Sequence, residues 1–110
     1  MDVISFLVQG SSSSPYVVSF SKPLNSILCK CTCPAGLKGQ ACKHRLRILR
    51  GSAESIVSGN LHEVEIVSSW LPGSEIERVL LEVERLEHEA SKVKTELTLA
   101  KRKLSKAMGF

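Results

Sequence analysis

Two close pairs of metal-binding side chains constrain this 110-residue chain more than anything else in it. Cys31-x-Cys33 and Cys42-x-His44 flank an eight-residue loop, PAGLKGQA. Three thiolates and one imidazole form the closed tetrahedral donor set that structural zinc favours. Residues i and i+2 of an extended strand point to the same side, so Cys31 and Cys33 are expected to reach one ion from a strand. Cys42 and His44 are expected to close the shell from the loop exit and the first turn of a helix. Pro34, Gly36 and Gly39 supply the turn chemistry between the pairs. Cys29 shares the strand face with Cys31 and Cys33, so on the residues alone a register using Cys29 and Cys31 stays open.

Two other cysteine chemistries compete. Disulfides imply an oxidising compartment, and the start MDVIS has neither a positive region nor a long apolar run. The expected setting is therefore the reducing interior of a cell, intracellular and cytoplasmic. A redox dithiol fits the nearby His44 and the loop glycines less well than a metal does.

The pattern resembles the SWIM zinc finger, C-x-C-x(n)-C-x-H. Pro34 after the second cysteine, Lys43 between Cys42 and His44, and the apolar RLRIL that follows are all of the family type. So are the strand-like segments of SFLVQGSSSSPYVVSF, and the resemblance covers roughly residues 4 to 50. It implies one zinc ion per chain, held by Cys31, Cys33, Cys42 and His44, with Cys29 left as a small core residue. It also implies a DNA-binding or protein-binding role. The finger-plus-helix layout resembles small proteins of bacteria and their phages.

Three β-prone segments precede the ligand loop: Val3 to Val8, Tyr16 to Phe20 and Ile27 to Cys33. GSSSSP and KPLN supply the turns, so a small antiparallel meander is expected. Ala41 to Arg50 is expected to be a short helix stopped by Gly51, with His44 and Ile48 on the side facing metal and sheet. The fold class is thus α+β: a zinc-stabilised meander and short helix, followed by a helical hairpin or long coiled-coil helix. Units below about 40 residues rarely fold on apolar burial alone. Zinc is therefore expected to supply most of the folding free energy of residues 1–50.

Charge points to a partner class. No acidic residue occurs between Val3 and Ala53, while Lys22, Lys30, Lys38, Lys43, Arg45, Arg47 and Arg50 all lie in that stretch. Such a module carries the electrostatic footprint of a polyanion binder. Lys43, Arg47 and Arg50 follow helical spacing and form a stripe. With Arg45 they are the candidate contacts to nucleic-acid phosphates. No aromatic or Asn/Gln pair accompanies them to read bases, so weak sequence specificity is expected. A protein partner, met as adaptor or inhibitor, is the alternative.

Residues 51–73 read as a connector: one helical turn within SAESIVSGN, then a helix from an Asn60–Glu63 capping box through Leu71. Leu61, Val64, Val67 and Leu71 line its apolar face, Trp70 serves packing, and the helix is expected to fold back on the next one. Pro72-Gly73 breaks the chain, and Ser74 with Glu77 starts a helix over 74–108. Its apolar residues are Ile76, Val79, Val83, Leu86, Ala90, Val93, Leu97, Ala100, Leu104 and Ala107, in steps alternating 3 and 4. That is a coiled-coil seam. Its first half, 74–90, carries six glutamates against two arginines; its second, 91–110, carries six lysines and arginines against one glutamate. An antiparallel homodimer is expected from this polarity.

No catalytic constellation accompanies these features. His44, His62 and His88 are scattered, no glycine-rich phosphate loop is present, and a filled Cys3His shell leaves no open position for substrate. No apolar run approaches the roughly 20 residues of a membrane span. The chain reads as a non-enzymatic interaction module with no membrane role.

Overall fold

The computed structural model describes residues 3–109. The first two residues of the expected 1–50 finger lie outside that range. The described chain divides into two compact units, one up to Glu77 and the other from Arg78 onward. Among the described residues no helix is long and apolar enough to cross a membrane.

In the first unit, β1 (Ile4–Val8), β2 (Tyr16–Ser21) and β3 (Leu28–Cys31) form an antiparallel sheet in the order β1-β2-β3. This is the expected meander. The register sets Phe6 opposite Val18, Ile4 opposite Phe20, and Val18 opposite Cys31. With a side-chain period of two, one face collects Phe6, Val8, Val18, Phe20 and Cys31, all buried. The rings of Phe6 and Phe20 meet edge-on with centroids 6.0 Å apart, a geometry that satisfies their quadrupoles. Between β2 and β3 the chain turns through a 3-10 segment, Pro23–Asn25.

The third strand is shorter than the expected Ile27 to Cys33. Its ladder ends because Thr32 bonds Val17 partly through its side chain: Val17 N–H donates to Thr32 Oγ1 at 2.9 Å, and Thr32 N–H donates to Val17 O at 3.1 Å. Pro34 then starts a single helical turn, α1 (Pro34–Leu37), consistent with the preference of proline for the first helical position. Cys33 therefore caps a helix rather than closing a strand.

Helix α2 (Lys43–Leu49) covers the buried face of the sheet with His44, Ile48 and Leu49. It ends where expected: Gly51 has φ +89°, a conformation that glycine takes without steric cost. Helix α3 (Glu63–Ser68) packs against α2 and buries Val64 and Val67. Trp70 and Leu71 pack on the same core, as expected, whereas Leu61 is half exposed.

The connector departs from expectation. No helical turn forms within 52–60; residues 55–58 instead run along the outer edge of β1, through a Val8–Ile56 bridge. Every second residue of that edge offers its backbone groups outward, and four of these groups are met. Gln9 N–H donates to Ser55 O and Val57 N–H donates to Leu7 O, both at 2.8 Å. Leu7 N–H donates to Ser58 Oγ at 3.0 Å, and Asn60 Nδ2 donates to Ser5 O at 2.8 Å. An exposed strand edge invites pairing with other chains, so this segment closes it. Asn60 also donates to Glu63 Oε1 at 3.0 Å, so its side chain ties α3 to β1 rather than capping the backbone of α3.

Helix α4 (Glu75–Ala107) has 33 residues, about 50 Å at 1.5 Å per residue. One arm of the expected Ser74–Glu77 capping box forms, with Glu77 N–H donating to Ser74 Oγ at 3.1 Å; the return arm shifts by one residue, Glu77 Oε1 accepting from Gly73 N–H at 3.0 Å. Ile76, expected in the seam, lies in the first unit and packs on its core. From Leu81 to Gly109 every residue is exposed.

Phe20→Ala removes half of the edge-on pair from a core with few large side chains. A loss of about 3–5 kcal/mol is expected, which urea denaturation of the zinc-loaded protein would register as a much earlier unfolding midpoint.

Candidate metal centre

Four donors converge under the sheet. Cys31 comes from the end of β3, Cys33 from the cap of α1, Cys42 from the cap of α2, and His44 from the first turn of α2. All are buried, and their ligand atoms lie within 4.8 Å of one another. Cys31 Sγ and His44 Nδ1 are 3.8 Å apart. Tetrahedral zinc, with Zn–S near 2.3 Å and Zn–N near 2.0–2.1 Å, sets its donors roughly 3.5–3.8 Å apart. The cluster needs to contract by only about 1 Å to close that shell. These residues fit one zinc ion. With four protein donors, the ion would supply a cross-link among β3, α1 and α2 and leave no open coordination position.

Small residues and backbone donors shape the site. Gly36 N–H donates to Cys33 Sγ at 3.3 Å, and Cys33 N–H donates to Cys31 Sγ at 3.5 Å. A Cβ on Gly36 would stand 2.3 Å from Cys31 O, so only glycine lets α1 approach β3 this closely. The Tyr16 ring lies against His44 with centroids 5.3 Å apart and fixes the imidazole from the β2 side.

Arg45 is the residue the sequence assigned differently. Its Nε donates to Cys42 Sγ at 3.2 Å and its Nη1 donates to Cys29 O at 3.3 Å. Its Nη2 donates to Gln40 O. One planar guanidinium thus joins β3, the ligand loop and α2 at the thiolate of Cys42. Expected at a phosphate, its head group is instead committed to the metal centre. No motif signals such a role; only its place three residues after Cys42 allows the return contact.

The electrostatics follow. Burial pushes the Cys42 thiol up, but the hydrogen bonds and charge of Arg45 together outweigh burial and hold it below the usual thiol range. Burial pushes Cys31 up to about 12, so its thiol form prevails until a cation takes the proton's place. Burial, and then the charges of Lys43 and Arg47, hold His44 below the ordinary imidazole range. It is therefore neutral at pH 7, the state in which imidazole binds metal.

Cys29 stands outside the cluster. It is half-buried and pushed up to about 11, chiefly by burial, and it lines a cavity of about 150 Å³ with Cys42, Arg45, Leu46, Leu49 and Ile76. The register that uses Cys29 as a ligand is not the one the fold assembles.

Of the basic residues, Lys43, Arg47 and Arg50 are exposed on α2 and at its end. Lys22, Lys30 and Lys38 are exposed as well.

Arg45→Lys keeps the charge but loses the planar fork that reaches three acceptors. Outer-sphere partners of this kind typically contribute 10–100-fold in metal affinity. Competition with a chromogenic chelator should therefore show zinc bound at least about 10-fold more weakly, with one equivalent still bound at saturation.

Residues 16–50 match the family model of the SWIM zinc finger. The match begins at β2, so β1 lies outside it. No curated protein and no solved structure matches the chain. The segment 16–50 is thus similar to the SWIM zinc finger, and its buried Cys31, Cys33, Cys42 and His44 fit the C-x-C-x(n)-C-x-H order of that family.

Proposed function

We propose that this chain is a non-enzymatic interaction module in which the zinc-closed finger grips nucleic-acid phosphates and α4 supplies a pairing surface. One observation carries the phosphate reading. The finger presents Lys43 and Arg47 exposed on one side of α2, with Arg50 exposed at its end, and no carboxylate lies between Val3 and Ala53 to oppose them. Metal and phosphate functions fall on different residues: Arg45 holds the metal centre, while the stripe on the solvent side of α2 meets the ligand. Phosphate contact without base readout gives affinity with little sequence preference.

A protein-docking reading has an observation of its own. The outer face of the sheet leaves Leu7, Val17 and Leu28 exposed at 41%, 39% and 51%. The two readings separate cleanly in one experiment.

Fluorescence anisotropy of labelled oligonucleotides with zinc-loaded protein, repeated over a salt series, tests the phosphate grip. Three to four contacts per finger predict a log–log slope of roughly −3 to −4 on duplex DNA. The Lys43→Ala/Arg47→Ala double variant should bind all sequences more weakly and flatten that slope by about 2. Absence of binding even at low salt would overturn the reading and move attention to the outer sheet face.

A further inference from the structure

We propose that α4 pairs with a second copy of itself, antiparallel, in the register that puts the two-fold axis between Ser91 and Lys92. This deepens the pairing role given to α4 above and rests on it.

The helix leaves a row of large apolar residues uncovered. Val79, Val83, Leu86, Val93, Leu97 and Leu104 are 42–61% exposed, all on the 3–4 spaced seam. A lone helix gains little stability from propensity in water; most comes from packing an apolar face. Ile76 is already used by the finger core, so the seam open to a partner runs from Val79 to Leu104.

Layer packing selects the occupant. When two copies run antiparallel about an axis between Ser91 and Lys92, Val79 faces Leu104 of the second copy and Val83 faces Ala100. Leu86 then faces Leu97, and Ala90 faces Val93. Every alanine meets a branched residue, and each layer occurs twice by symmetry. In a parallel, in-register pair Ala90 would face Ala90 and Ala100 would face Ala100. Those two layers would be underfilled, and unfilled core volume is destabilising. Sliding the antiparallel pair by one heptad keeps only three of the four layer types.

Charge agrees at long range and is neutral at short range. Residues 74–90 carry six glutamates against two arginines, and residues 91–109 carry six basic residues against one glutamate. The antiparallel pair lays the acidic half on the basic half. At the positions flanking the seam it sets Glu87 near Lys94 and Glu82 near Lys103, but Glu89 near Glu96. The parallel pair sets Glu89 near Lys94 and Glu96 near Lys101, but Glu82 near Glu87. Flanking pairs therefore do not choose between orientations. The seam layers and the opposed halves do, and Arg85, 2.8 Å from Glu89 in the same helix, softens the one like-charge contact.

Distance between spin labels tests orientation and register together. Zinc-loaded Cys29→Ser protein, whose remaining cysteines are metal ligands, would carry a labelled cysteine in place of Ser91 or of Ser105. Both serines lie one residue past a seam position and point away from it. In the proposed register residue 105 lies opposite residue 78 of the second copy, so two labels at 105 are 27 residues apart, about 40 Å along the axis. Labels at 91 are within about 20 Å, two adjacent helices wide. Short distances at both positions would mean a parallel pair and overturn the inference while leaving pairing intact. A distance at 105 of about 30 or 50 Å would mean a register one heptad away and would also overturn it. Sedimentation equilibrium showing a monomer at tens of micromolar, with zinc content and helicity unchanged, would remove the pairing role as well.

Discussion

Everything in the finger depends on bringing three thiolates and one imidazole together beneath a three-stranded sheet. The apolar part of that core is thin: Phe6, Val8, Val18 and Phe20 from the strands, Ile48 and Leu49 from α2, Val64 and Val67 from α3. The ligands fill the rest of the interior, and unmetallated they would leave buried thiols in place of a cross-link. Burial raises Cys31 while Arg45 lowers Cys42, so the site holds one thiol that resists ionisation and another that is drawn toward it. A divalent cation resolves that asymmetry by replacing protons, and its binding free energy becomes folding free energy.

The finger divides its cations between two tasks. Arg45 is turned inward, where its fork satisfies Cys42 Sγ and two backbone carbonyls. Lys43 and Arg47, two residues to either side, point to solvent. Helical periodicity permits that division: Arg45 is two residues from each of them and so leaves α2 on roughly the opposite side from Lys43 and Arg47, which are four apart and share a face. The stripe and the inner clamp thus lie on different sides of one short helix.

Much of this was legible in the residues. Alternation fixed the meander and its inner face, and the ligand spacing marked the centre, because both depend on local geometry. Gly51 and the Ser74–Glu77 box marked helix ends through backbone chemistry that one residue can signal. What escaped reading depended on contacts between distant segments. The hold of 55–58 on the edge of β1 and the tie from Asn60 to Ser5 join positions some fifty residues apart. The packing of α3 on α2 likewise answers to where the core needed cover rather than to chain order. Cys33 was placed on a strand by spacing alone, whereas Pro34 and Thr32 end that strand early. Ile76 fits the heptad pattern yet serves the finger, because periodicity says which face is apolar and not what covers it.

Metal closure holds the finger fold, whereas α4 beyond Leu81, exposed throughout, does not depend on it. Removing zinc from the intact, isotopically labelled protein with a chelator, followed by amide NMR, tests this most directly. The dispersed resonances of residues 4–71 are expected to collapse and to return on adding zinc, while those of 81–107 stay helical. A finger whose spectrum is unchanged without metal would contradict that expectation.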